Sequence, residues 1–122
     1  MMNDKLTILY VDDELLNLQL FAINFKTKYN VVTAESGQQG IDILKSNPEI
    51  KFVISDMKMP GMNGVQFIKL AKKEFSSILF YILTGYEITE EIADALNDKL
   101  ILKYFRKPFN MKDIAAAIEE VI

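Results

Sequence analysis

FVISDMKMPGMNG, residues Phe52–Gly64, is the stretch on which the reading of this chain turns. It opens with an apolar run, Phe52-Val53-Ile54, rich in β-branched residues, as a buried strand is. The run stops at Asp56, and Pro60-Gly61 and Asn63-Gly64 follow as two turn signals. Asp56 is thereby expected at the C-terminal edge of a strand, where open α/β sheets hold ligands and carry chemistry. A lone aspartate in such a place is ordinarily a turn or cap residue. The rest of the chain has to decide between the two.

Upstream, Leu6–Val11 has the pattern of a buried strand and ends in Asp12-Asp13-Glu14. Leu15–Tyr29 follows at helical spacing, with Leu18, Phe21, Ala22 and Phe25 on one stripe and Leu16, Leu20 and Ile23 on a second. No charge interrupts this segment before Lys26, so it is more apolar than one buried face requires. Asn30–Thr33 is a short strand. Ser36 is a plausible N-cap for the next helix, which buries Ile41 and Leu44 and ends at Asn47-Pro48.

Downstream of the strand Phe52–Ser55, Val65–Phe75 reads as a helix with Phe67, Ile68 and Ala71 inward. Ile78–Leu83 is a fourth apolar strand, closed by Thr84-Gly85. Thr89–Asp98 is a short acidic helix, and Leu100–Phe105 a fifth strand leading to Lys107-Pro108. Asn110 can cap a last helix, Met111–Ile122, with Ile114, Ala115, Ile118 and Val121 facing in.

Strand and helix thus alternate five times with short connections. The pattern predicts an α/β, doubly wound, five-stranded parallel sheet with right-handed crossovers and helices on both faces. Continuously apolar strands fit a sheet buried on both sides. A dinucleotide-binding fold is the competitor, but its GxGxxG is absent after the first strand, where Asp12-Asp13-Glu14 would repel phosphate unless a cation intervened.

The 122 residues predict one domain, spanning 1–122. The chain contains no Cys and no His, which excludes disulfides, thiolate zinc sites, a histidine base and His-ligated metals. Oxygen ligands remain, and they suit a hard cation such as Mg²⁺ or Ca²⁺. A net charge of −3 and the lack of a basic run give no reason to expect nucleic acid as a partner. No apolar stretch approaches membrane-spanning length and the N-terminus is polar, so a cytoplasmic location is expected.

Four strands end in polar, chemically capable residues: Asp12 and Asp13, Asp56, Thr84, and Lys107. In a parallel sheet all four ends lie on one edge. Converging carboxylates repel, and a divalent cation relieves the repulsion. Lys107 and the Thr84 hydroxyl supply donors for an anion. A carboxylate nucleophile in this setting can attack a phosphoryl group and form a mixed anhydride, with the cation and Lys107 offsetting charge on the phosphoryl oxygens. Gly85, lacking a side chain, leaves the group room to enter.

With Asp12-Asp13, Asp56 followed by Met59-Pro60-Gly61-Met62-Asn63-Gly64, Thr84-Gly85 and Lys107-Pro108-Phe109 in this order and spacing, the chain resembles a response-regulator receiver domain of two-component signalling. The resemblance covers essentially the whole length. Asn63, where an Asp is often seen, departs from the pattern. The resemblance implies a flavodoxin-like sheet of order 2-1-3-4-5. It implies Asp56 as phosphoacceptor, Asp13 as a direct Mg²⁺ ligand, Asp12 as a ligand directly or through water, and the Lys58 carbonyl completing the protein's share. Mn²⁺ is an alternative metal. Lys107 is similar to the lysine that pairs with phosphoryl oxygens, Thr84 to the switch hydroxyl, and Tyr104 to the switch aromatic. The Lys107–Pro108 bond is expected to be cis.

The implied partner is a sensor histidine kinase or phosphotransfer protein. The chain would be a signalling domain that catalyses only its own phosphorylation and dephosphorylation. Lys58 and Tyr86, two residues after Asp56 and Thr84, would flank the phosphoryl group and slow its hydrolysis. Phosphorylation would switch the face formed by the fourth helix, fifth strand and fifth helix, where mixed charges suit a two-fold homodimer contact. Two alternatives stand beside this reading. A haloacid-dehalogenase-type phosphatase wants a second acid at position 58, which is Lys. A degenerate receiver acting as a phosphorylation-independent binding module would not need Asp12, Asp13, Asp56, Thr84 and Lys107 together.

Overall fold

The computed structural model describes residues 5–85 and 88–122. The described residues alternate as β1 (Thr7–Val11), α1 (Leu15–Phe25), β2 (Asn30–Ala34), α2 (Gly37–Ser46), β3 (Ile50–Asp56), α3 (Gly64–Glu74), β4 (Leu79–Thr84), α4 (Glu90–Asn97), β5 (Lys103–Arg106) and α5 (Met111–Glu119). The strands form one parallel sheet in the order β2-β1-β3-β4-β5. This is the doubly wound parallel sheet predicted from the alternation, in the flavodoxin-like order that the resemblance implies.

Each face of the sheet has its own core because strand side chains alternate. Ile8, Tyr10, Ile54, Tyr81 and Leu83 pack with Leu18, Phe21 and Phe25 of α1 and Ile114 and Ile118 of α5. Leu9, Val11, Val53, Phe80 and Ile82 pack on the other face with α2, α3 and α4. The helix starts follow their side chains. Ser36 caps α2 by accepting from the Gln39 N–H, Asn63 and Gln66 make a reciprocal capping box on α3, Thr89 caps α4, and Asn110 caps α5.

Some boundaries differ from the sequence expectation for local reasons. α1 stops at Phe25, where the N–H groups of Lys28 and Tyr29 both donate to the Phe25 carbonyl and turn the chain into β2. β5 begins at Lys103 rather than Leu100. Lys99 adopts a φ of 62°, and the Leu100 and Ile101 N–H groups donate back to the Ala95 carbonyl, so these residues close α4. On α5, Ala117 is buried, whereas Val121 lies past the helix end and is 45% exposed. The second apolar stripe of α1 stays outside: Leu16 is 65% and Ile23 62% exposed.

Candidate functional site

The parallel sheet brings the C-terminal ends of β1, β3, β4 and β5 to one edge. Asp56 is the last residue of β3, Asp12 and Asp13 directly follow β1, Thr84 ends β4, and Lys107 directly follows β5. Oxygens of Asp12, Asp13 and Asp56 lie within 4.8 Å of one another. Asp12 is fully buried and Asp56 is 6% exposed, while Asp13 is open to solvent. The Lys107 ammonium Nζ lies 3.0 Å from Asp56 Oδ1 and 3.3 Å from Asp12 Oδ2. The Lys107 N–H donates to the Thr84 carbonyl at 2.8 Å, which anchors the lysine to the end of β4. The Lys107–Pro108 peptide is cis, as expected.

The backbone around Asp56 is equally constrained. The Gly64 N–H donates to the Met57 carbonyl at 2.8 Å, and the Ser55 hydroxyl to the Asp56 carbonyl at 2.8 Å. A Cβ on Gly64 would collide with the Asp56 carbonyl oxygen and sit 2.8 Å from Ile82 Cδ1. The glycine of Asn63-Gly64 therefore serves close approach as well as a turn: it lets α3 start against the end of β3.

Electrostatics follow from this packing. Burial raises the Asp56 pKa. The hydrogen bond from Lys107 opposes that rise, the Asp12 charge adds to it, and the net direction is upward. For Lys107, burial alone would lower the pKa, but the hydrogen bond to Asp56 and the charges of Asp56 and Asp12 outweigh it and leave the ammonium more firmly protonated. The Lys107 ammonium pairs with two of the three clustered carboxylates, Asp12 and Asp56. The donor set is all oxygen and carries excess negative charge, so it fits a hard divalent cation.

The site opens into a cleft of about 780 Å³ whose lining includes Asp13, Asp56, Lys58, Gly85 and Lys107. Lys58 and Gly85 thus border the acidic cluster. Among the described residues, a Cβ on Gly85 would meet Lys107 methylenes at 3.7 and 3.8 Å, ordinary contact distances. Tyr86 lies outside the described residues. Thr84 is buried. In the sheet register it opposes Arg106, whereas Tyr104 opposes Ile82, so hydroxyl and aromatic are offset by two residues rather than level. Tyr104 is 36% exposed.

One residue escaped the sequence reading. The Tyr10 hydroxyl donates to Asp12 Oδ2 at 2.6 Å within the buried interior. Positions 10 and 12 share a face by strand alternation, so a polar tip two residues before a buried acid was the available signal.

The comparisons decide the family. A family model for the response regulator receiver domain matches residues 8–119. The chain belongs to the response regulator receiver domain family. It is a receiver domain of two-component systems, a signalling domain, and it carries the Asp12, Asp13, Asp56 cluster. It is 33% identical over 124 residues to the sporulation initiation phosphotransferase F of Bacillus subtilis (strain 168), covering 100% of this chain and 96% of that protein. The chain is also 29% identical over 109 residues to the hydrogenase transcriptional regulatory protein HoxA of Cupriavidus necator, covering 88% of this chain but spanning only 22% of that regulator's length.

Among solved structures, a response regulator receiver domain protein from Clostridium thermocellum superposes with a TM-score of 0.87 at 32% identity, covering 93% of this chain and 91% of that one. The response regulator TrrA of Thermotoga maritima, solved in complex with Mg²⁺ and beryllofluoride, matches this receiver with a TM-score of 0.81 at 25% identity, covering 95% and 98% of the two chains. Among the described residues of the receiver, no helix is long and apolar enough to cross a membrane.

Proposed function

We propose that this receiver accepts a phosphoryl group on Asp56 from a sensor histidine kinase or phosphotransfer protein, in a Mg²⁺-dependent reaction. The observation that carries the reading is Asp56 Oδ1 lying 3.0 Å from Lys107 Nζ at the point where the Asp12 and Asp13 carboxylates converge. An Asp56 carboxylate oxygen attacks phosphorus. The new O–P bond forms as the bond from phosphorus to the donor breaks, and the donor keeps the electron pair. Lys107 follows the transferred charge from the carboxylate to a phosphoryl oxygen. Asp12, Asp13, Asp56 and the Lys58 carbonyl would hold the cation, which when bound neutralises charge on the phosphoryl oxygens.

The exposed Leu20 of α1 adjoins the acidic site, lining a cleft together with Asn17, Gly85 and Lys107. Exposed apolar surface beside the site suits contact with a protein partner. Readout on this proposal runs through Thr84, which would donate to a phosphoryl oxygen, and Tyr104, which would turn inward beneath α4. The switched face of α4, β5 and α5 is offered for homodimer contact. Lys103 on that face already pairs with Glu120 of the same chain at 2.7 Å. Lys58 and Tyr86 are proposed to slow hydrolysis of the phosphoryl group. Incubation with acetyl phosphate and Mg²⁺ tests the core of the proposal. One phosphate per chain in the wild type and none in Asp56→Asn is expected; equal labelling of the variant would overturn it.

A further inference from the structure

We infer that Tyr10 is a positioning residue of the acidic site, holding Asp12 in the orientation that serves a divalent cation and keeping Lys107 on the Asp56 side. The inference rests on the reading of this edge as a Mg²⁺ site. Tyr10 and Asp12 are both essentially inaccessible to solvent. The phenol oxygen lies 2.6 Å from Asp12 Oδ2, within the range of a hydroxyl donating to a charged carboxylate. The Glu14 N–H holds the other oxygen, Oδ1, at 3.0 Å, and Lys107 Nζ approaches Oδ2 at 3.3 Å.

A carboxylate offers roughly four acceptor positions, and these three donors leave Asp12 little freedom to rotate. The donors also decide how Lys107 divides itself. With the hydroxyl already on Oδ2, the ammonium sits closer to Asp56, the proposed nucleophile, than to Asp12.

The tyrosine is itself immobilised. Its ring stacks on Phe21 with centroids 4.1 Å apart and planes 12° apart, and Phe21 in turn packs on Phe109, two residues after Lys107. A phenylalanine side chain would conserve nearly all of this packing, so packing alone gives no reason for a hydroxyl. A phenol is protonated at neutral pH, so the Tyr10 hydroxyl serves as a donor to Asp12.

Tyr81 supplies the matched control. It is a buried tyrosine of the same sheet face, and its hydroxyl donates to the Ala117 carbonyl, at 3.5 Å, on the α5 side. Calorimetric Mg²⁺ titration of wild type, Tyr10→Phe and Tyr81→Phe, each shown to be folded by circular dichroism, tests the inference. Outer-sphere partners of metal ligands are typically worth about 10–100-fold in affinity. Tyr10→Phe should weaken Mg²⁺ binding by about tenfold or more, while Tyr81→Phe binds as the wild type does. The near-ultraviolet tyrosine difference spectrum on adding Mg²⁺ should be present in wild type and Tyr81→Phe and lost in Tyr10→Phe. Unchanged affinity in Tyr10→Phe, or an equal loss in Tyr81→Phe, overturns the positioning role and leaves the Mg²⁺ reading intact. Absence of Mg²⁺ binding by the wild type overturns both.

Discussion

Lys107 Nζ lies 3.0 Å from Asp56 Oδ1 while its backbone N–H is held by the Thr84 carbonyl, so one residue ties the acidic centre to the end of β4. Replacing Lys107 by Ala removes the ammonium facing two buried carboxylates. Leaving a buried charged group without its donor costs about 1–3 kcal/mol or more, so the metal-free variant should unfold at lower denaturant concentration. Mg²⁺ should restore more stability to it than to the wild type, and phosphorylation by acetyl phosphate should slow. Urea titrations with EDTA or Mg²⁺ check the first two points.

The raised pKa of Asp56 predicts a pH dependence. A carboxyl group whose pKa is raised on folding contributes stability below its unfolded value of about 3.9 and loses it as pH rises through the folded value. In EDTA, Asp56→Asn should therefore be more stable than wild type at neutral pH. The difference should shrink toward zero near pH 4 and below. Mg²⁺ should erase the advantage at neutral pH by stabilising the wild type. Urea midpoints across pH, with and without metal, measure this.

Two glycines beside the site should behave differently. A methyl at Gly64 meets the Asp56 carbonyl oxygen, a backbone atom that cannot swing away. Overpacking of this kind costs typically 1–3 kcal/mol, so Gly64→Ala should be destabilised by about that much and phosphorylate poorly. A methyl at Gly85 meets Lys107 methylenes at ordinary contact distances. Gly85→Ala should fold with nearly wild-type stability, and only its phosphorylation should slow if the phosphoryl group needs the space. Denaturation midpoints and labelling rates of the two variants separate these effects.

Asn63 does two things, and Asp can do only one of them. Its amide oxygen caps α3 by accepting from the Gln66 N–H, and its amide nitrogen donates to Glu91 of α4 at 3.2 Å. Asn63→Asp keeps the cap, since Asp and Asn are comparable there, but sets a carboxylate against Glu91. A loss of about 0.5–1 kcal/mol is expected, with faster amide exchange in α4. Asn63→Ala, which loses the cap as well, should be worse by about 1 kcal/mol. Equal stability of the Asp variant and wild type would show that the α3–α4 link is immaterial.

The sheet was legible because its strands are apolar runs that stop at polar residues, and parallel topology turns those stops into one edge. Asp56, the acidic pair, Thr84 and Lys107 were found that way. Side-chain periodicity was a poorer guide where an apolar residue had no inner surface to meet. Leu16 and Ile23 satisfy helical spacing yet face outward, because the sheet face under α1 is filled by Leu18, Phe21 and Phe25. Val121 matched the inward stripe of α5, but the helix ends before it. The start of β5 was misjudged because Leu100 and Ile101 are apolar for burial near α4 rather than for pairing. The Tyr10 hydroxyl was missed because a tyrosine within an apolar strand reads as core, and its polar end shows only once Asp12 is known to be buried beside it.

The central claim is that Asp56 is the carboxylate that takes the phosphoryl group, and reductive trapping tests it most directly. Borohydride converts an aspartyl phosphate to homoserine, which peptide mass spectrometry locates residue by residue. After incubation with acetyl phosphate and Mg²⁺, homoserine is predicted at position 56 alone, and at no position when EDTA replaces Mg²⁺. Homoserine at Asp12, Asp13 or another acid with Asp56 intact would contradict the account.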